Sequence, residues 1–552
     1  MRRTNHLAVL LPVFMLVASC GDTASMGSSK SSSDNSYGYG GYGGDDGEWP
    51  QEPGSAAEDV TASTDYGPPP DPELEINFDL KAPQASEHYV FIAATERDSL
   101  VRITADESLE IRLIPVGGQP TTVATLADQD VALVINSGTH DLSIVRSTEA
   151  KDSVKTLDIL PYANTIAVAP DGRFAIVYYS EEAAEPNDPV GDFQTVAVVN
   201  VQAEKEEVLQ VSTGFHITGV YFHESLAIAY LVTDDGVSLL DLEGVEDGDI
   251  TPIVNVAEDP LEDPSMREVL ITSSGDYAVV RNLALPRLTV VDLKSGGMTT
   301  VEVAGLPTDV DLVPGSNRFL AMLREQGLAY VVDLDGVLAE EAAAVVEIDV
   351  SGSLAGAALV TPDGSRAVLY TTIGGTKAIA LLELNKAGYP WKSYSVQKSV
   401  LAVAVSDAGG TAVVFHEAES YETDASGLEK TIAASQGFTL FDLESGYRKL
   451  IQTDHHWTSH LFVVDGKGKD EKAYVLTPDP AQIQHSVQQV DLSTYIVDPL
   501  TIASTPTSMV YVPTSRKVAV AQDHVNGRLT FIDVDNGEQY SVTGYELNGL
   551  IH

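Results

Sequence analysis

The sequence predicts an all-β chain of repeated four-stranded units, the build of a β-propeller, and two observations carry that prediction. From about residue 88 onward, short alternating or fully apolar runs are separated by turns, with almost no helical periodicity. Within this pattern a strand-like segment ending in an acid and an aliphatic residue recurs. It reads VVDL at Val290–Leu293 and Val331–Leu334, and LFDL at Leu440–Leu443. Variants are LLDL at Leu239, LLEL at Leu381, QVDL at Gln489, FIDV at Phe531 and VVNV at Val198. The anchors Asn200, Asp241, Asp292, Asp333, Glu383, Asp442, Asp491 and Asp533 lie 41 to 59 residues apart. Upstream, VRIT at Val101 and SIVR at Ser143 are two weaker copies.

Each anchor has the same surroundings. An apolar strand runs into a turn such as APDG at Ala169, TPDG at Thr361 or SDAGG at Ser406, and a second strand such as FAIVYY follows. Proline presets one backbone angle of such a turn and glycine supplies a positive φ. The anchor strand comes next, then another turn (KSGG, ESG, DNGE) and a fourth strand such as TTVEVAG. Four strands in about 40–50 residues is the size of a propeller blade.

About ten such units fit between residues 76 and 552. Units three and eight both carry a long acidic insertion after the second strand, SEEAAEPNDPVGDFQ and HEAESYETDASGLEKTIAASQG. Units five and ten share RLTVVDLKSGG against RLTFIDVDNGE. Spacing by five units allows one large ring or two packed propellers, and no Gly/Pro-rich break in mid-chain separates two halves. The run VGGQPTTVATLADQDVALVINSGTHDLSIV and the stretches VAPDGRFAIVYY and VTPDGSRAVLYT resemble the YVTN family of lactonase-like or surface-layer propeller repeats. That resemblance implies the fold over most of the chain but no single activity, because such propellers host many. With tryptophan only at positions 49, 391 and 457, neither WD repeats nor a Trp-docked quinoprotein pattern is expected.

The amino-terminal part has a different character. Arg2 and Arg3 are followed by an apolar run from Leu7 to Ala18, too short for a comfortable membrane span, and then by Ser19 and Cys20. VASC resembles the lipobox of a bacterial lipoprotein signal peptide, with Val17 in place of the commoner leucine. The resemblance implies removal of residues 1–19 and a diacylglyceryl thioether on Cys20, whose amino group would carry a palmitate-type acyl chain. Each buried methylene contributes about 0.8 kcal/mol, so two or three chains hold a domain firmly. Cys20 is the single cysteine, so no internal disulfide is expected. Residues 20–75 are rich in Ser, Gly, Asp and Pro and read as a lipidated disordered tether with a reach of about 40 Å.

Charge narrows the partners. The 81 Asp and Glu residues against 32 Lys and Arg leave a formal net charge of −49, which repels phosphate backbones and excludes nucleic acid as a partner. Cations or basic partners are favoured instead.

The candidate site residues follow from the repeat. Loops entering each innermost strand converge at the channel mouth, and His216 and His456 occupy the same repeat position there. They are five units apart, on opposite sides of a ring of ten or in separate channels of two rings. The richest local cluster is Asp454, His455, His456, Trp457 and His460. In a strand, residues four apart lie about 13 Å from one another, too far for one ion. The expectation is therefore a loop in which Trp457 packs and the histidines hydrogen-bond, with no metal and no cofactor. A lactonase-type site implies a convergent His, Glu and Arg, for which His416, Glu417 and Arg281 are the candidates. Asp533–Glu538 and Asp333–Gly336 resemble the start of a calcium loop but lack its remaining ligands, and read as turn chemistry.

The preferred expectation is a non-enzymatic scaffold, lipid-anchored in the bacterial cell envelope at the outer membrane. Its long loops bind a protein, peptide or glycan. The alternative is a lactonase-like or lyase-like enzyme centred on the channel.

Overall fold

The computed structural model describes residues 82–545 apart from 127, 187, 260, 422, 424, 480 and 482–484. Residues 1–19, read from sequence as a signal peptide, Cys20 and the expected tether lie outside these residues. The described chain forms ten four-stranded antiparallel sheets, each a meander of four consecutive strands. These blades span residues 84–115, 120–158, 165–212, 217–254, 267–302, 309–349, 357–395, 402–453, 459–502 and 506–543, and are numbered 1 to 10 in that order.

Burial follows position within the blade. Second strands are covered on both faces by neighbouring blades, so Val131–Asn136, Thr411–His416 and Lys517–Gln522 are buried throughout. Fourth strands at the perimeter, such as Asp152–Asp158 and Trp391–Ser395, are mostly exposed. Apolar runs therefore mark the middle strands, whereas polar residues alternate in the outer ones.

The core is divided among the seams between blades. Ten apolar clusters each join two adjacent blades, from the junction of blades 1 and 2 round to that of blades 9 and 10. The tenth packs Val90, Val101 and Ile103 of blade 1 against Val512, Leu529 and Phe531 of blade 10. This closes a single ring of ten, and two packed propellers are ruled out. Among the described residues, neither terminal blade borrows a strand from the other end of the chain. The seam adds a hydrogen bond from Thr514 N–H to Glu87 O at 3.2 Å and one from Thr514 Oγ1 to Glu87 Oε2 at 2.7 Å.

The recurring acid has a local cause. Asp292 ends the third strand of blade 5, and its Oδ1 accepts from the N–H groups of Lys294 and Ser295. Asp241, Asp442, Asp491 and Asp533 cap the following turn in the same way. Asp333 instead caps the short helix Leu334–Leu338 through Gly336 N–H. These carboxylates serve turns, as expected for the calcium-like stretches. Glu383, one methylene longer, pairs with Arg366 and Lys386.

The glycines of the first hairpin turns adopt positive φ, 64° at Gly172, 65° at Gly364 and 70° at Gly409. A Cβ at Gly364 would overlap the carbonyl oxygen of Pro314 in blade 6. Gly364→Ala is therefore expected to lower stability by about 1–3 kcal/mol in denaturant unfolding.

Acids on one blade also lock the turn of its neighbour. Asp470 of blade 9 accepts from Ser406 Oγ and Gly410 N–H of blade 8, and Asp130 of blade 2 from Ser86 Oγ and His88 N–H of blade 1.

Candidate functional site

In a four-stranded meander, the entry to the first strand and the connection from second to third strand lie on the same face. That face carries both acidic insertions and every entry loop, so it is the elaborated side of the ring.

In blade 3 the insertion leaves the second strand at Tyr178 and returns at Thr195. Its end docks on the entry loop of blade 4, where His216 N–H donates to Phe193 O and Thr213 N–H to Gln194 O. His216 is half-buried with φ of 56°. Its Nδ1 lies 3.3 Å from both Asp234 carboxylate oxygens and its Nε2 lies 3.5 Å from Glu181 Oε2. Phe193 sits at the centre of an aromatic group: Tyr179 meets it edge-on at 5.2 Å, Phe215 lies at 5.5 Å and His216 at 5.8 Å.

In blade 8 the insertion contains a helix, Gly427–Ala434, opened by a capping box between Ser426 and Glu429. From sequence this stretch reads as a long loop, although Ser426 and Glu429 have the Ser-x-x-Glu spacing of such a box. The helix ends on the buried side chain of Lys398, whose Nζ donates to Ile432 O at 2.9 Å and Ala433 O at 3.0 Å. Burial lowers the pKa of this ammonium, while the carbonyl end of the helix favours a cation there. Glu419 ties the insertion to the same connector by accepting from Ser399 N–H, and to blade 7 by accepting from Lys377 Nζ. Nothing in the string SVQKSV signals this role for Lys398.

The lactonase-type set does not assemble. His416 is fully buried at the end of the second strand of blade 8. Its Nδ1–H donates to Ser399 O at 2.7 Å and its Nε2 accepts from Thr439 Oγ1–H at 2.8 Å, which occupies both nitrogens. Glu417 is exposed. Arg281 belongs to blade 5, where its Nε pairs with Glu268 Oε2 at 2.5 Å. Near that pair, buried Asp309 of blade 6 accepts from Ala358 N–H of blade 7, and burial pushes its carboxyl up to about 6.

The histidine cluster at blade 9 divides in the same manner. Trp457 is 9% exposed and stacks on Phe415 of blade 8 with ring centres 4.0 Å apart. His460 lies in the first strand of blade 9 between Phe415 and Phe462, and burial lowers its pKa to about 4. His456 is exposed, and His455 approaches Asp479 only to 3.9 Å. The packing of Trp457 is as expected. His460 differs from the expected hydrogen-bonded histidine because rings rather than polar groups surround it. His216 and His456 enter blades 4 and 9, on opposite sides of the ring. Among the described residues, no three His, Cys, Asp or Glu side chains are grouped to hold a metal ion.

Clefts of about 270 Å³ between blades 3 and 4 and about 610 Å³ between blades 7 and 8 are lined by none of His216, His416, His456 and His460.

Fold and face together define a ten-bladed β-propeller with one elaborated face. No protein-family model and no curated protein matches the chain. Similar solved structures include the hydrazine synthase of Kuenenia stuttgartiensis, at 16% identity over 48% of this chain and 76% of that chain, TM-score 0.29. Another is the dihydro-heme d1 dehydrogenase NirN, at 11% identity over 76% and 74%, TM-score 0.40. A eukaryotic initiation factor shares 9% identity over 83% and 96%, TM-score 0.46. At these identities and TM-scores, the likenesses carry no information on function.

Proposed function

We propose that this protein is a lipid-anchored binding scaffold of the bacterial cell envelope, held at the outer membrane, that uses its elaborated face to bind a basic protein or peptide. The observation that carries the reading is the fixing of two acidic insertions on one face, by the Phe193–His216 contacts in blade 3 and by Lys398 in blade 8. Long loops held on a rigid scaffold suit recognition, because little ordering entropy is lost on binding. The formal charge of −49 selects cationic partners over anionic ones. Against the channel-enzyme alternative stands the engagement of His416 and Arg281 in separate structural contacts.

The test replaces residues 182–190 and 420–430 with short Gly-Ser turns in the full chain, leaving Glu181, Glu419 and the carbonyls that hold Lys398 in place, and recovers crosslinked partners from cell envelopes. Loss of the partner with unchanged thermal unfolding is expected; retention of the same partner would overturn the scaffold reading. In the same cells, Cys20→Ser is expected to move the protein from the membrane to the soluble fraction.

A further inference from the structure

We infer that the aromatic group at the blade 3–4 junction is a docking site for an arginine-bearing segment of a partner polypeptide, with Phe215 as the platform. The inference rests on the scaffold reading and adds to it a place and a ligand chemistry.

Phe215 is a large apolar side chain left 44% exposed on the elaborated face. Its backbone is pinned on both sides: its N–H donates to Asp235 Oδ2 at 2.8 Å and its C=O accepts from Asp234 N–H at 2.9 Å. Beneath it, half-buried Phe193 is held edge-on by buried Tyr179. Gly191 packs so closely on the Tyr179 ring that a Cβ there would overlap it, which fixes the returning arm of the insertion. The ring surface is therefore preorganised and open.

Carboxylates border it. Glu181 is largely exposed, Asp234 partly so, and Asp235 is exposed. The basic side chains in contact with this border are His216, between Glu181 and Asp234, and Arg267, which donates to the backbone oxygen of Asp234. An aromatic face ringed by acids matches a guanidinium, which stacks on the ring while its N–H fork reaches carboxylates. A bare metal ion fits poorly, since Asp235 and Asp234 already accept from Phe215 N–H and His216 and, among the described residues, no three ligands are grouped. A second copy of the chain is disfavoured by mutual repulsion at a net charge of −49.

The test is fluorescence anisotropy of a labelled ten-residue peptide bearing three arginines, titrated with the full chain in about 150 mM salt to screen diffuse attraction. Its counterpart carries citrulline, which keeps the shape and removes the charge. Binding of the arginine peptide is expected to be about tenfold weaker in Phe215→Ala, restored in Phe215→Trp, and several-fold weaker in Glu181→Gln. The citrulline peptide is expected to bind at least tenfold more weakly than the arginine peptide. Equal affinity of wild type and Phe215→Ala would overturn the site, since attraction would then be charge alone. No difference between the two peptides would overturn the guanidinium chemistry. Neither result touches the insertion-replacement experiment, so the site and the scaffold reading fail separately.

Discussion

Replacement of Phe531 by alanine is expected to lower the unfolding free energy by about 3–5 kcal/mol. Phe531 is fully buried in the cluster that joins blade 10 to Val90, Val101 and Ile103 of blade 1. Among the described residues each end blade is made of its own consecutive strands, and this side-chain seam and the Thr514–Glu87 hydrogen bonds join the two. A ring of repeats holds each blade by its two neighbours, and opening one seam leaves two blades with one neighbour each. Denaturant unfolding of Phe531→Ala checks the magnitude, and hydrogen exchange checks the location. Faster exchange is expected in residues 84–115 and 506–543 ahead of the rest. For comparison, Phe319→Ala at the blade 5–6 seam carries a similar cavity cost but leaves the end blades protected. Unchanged exchange in the end blades of Phe531→Ala would show that the ring is closed by something other than this seam.

The second large effect is on the pH dependence of stability. Burial holds His416 and His460 near about 4, below the ordinary imidazole value of 6.5. Between those values the unfolded chain binds protons that the folded chain refuses. The stability these histidines supply is therefore complete above pH 6.5 and is lost as pH falls towards 4. For fully buried His416 the loss is on the order of 3 kcal/mol by pH 4; half-buried His460 contributes less. Asp309 acts in the opposite sense, because burial raises its carboxyl to about 6. The folded state binds that proton more tightly, so its contribution is present below the usual carboxylate range and is lost as pH rises through 6. Thermal unfolding from pH 4 to 7.5 is expected to fall on the acid side, less steeply in His416→Leu and more steeply in Asp309→Asn. Comparing variants cancels the relief of overall charge repulsion that acid brings to every form. His416→Leu is also expected to cost about 1–3 kcal/mol at pH 7.5, since Ser399 O and the Thr439 hydroxyl lose their partner. An acid limb of equal slope in all three proteins would remove both groups from the account.

Much of the fold was legible in the sequence because its signals are local. The Pro-Asp-Gly turns require a positive φ a few residues from the strands they join, as Gly172 and Gly364 display. The acids of VVDL and LFDL cap turns only two or three residues on, as Asp292 and Asp442 display. Second-strand runs such as Ala412–Phe415 are apolar throughout because blades cover both faces. Blade size, strand order and the side bearing the insertions follow from such short-range chemistry.

The site was legible only in part. His216 was marked by its repeat position, whereas Tyr179 and Phe193 lie at the two ends of one insertion and Phe215 joins them only when blade 3 docks on blade 4. His416, Glu417 and Arg281 could be named as residue types suited to catalysis. Which of them faces a channel and which a neighbouring carbonyl is decided by packing across seams. The choice of one ring over two is likewise absent from any window of sequence, since it depends on whether residues 90–103 meet residues 512–531. Turns and strand periods are set by neighbours along the chain. Closure, convergence and proton affinity are set by neighbours in space, which this sequence names only once its blades have packed.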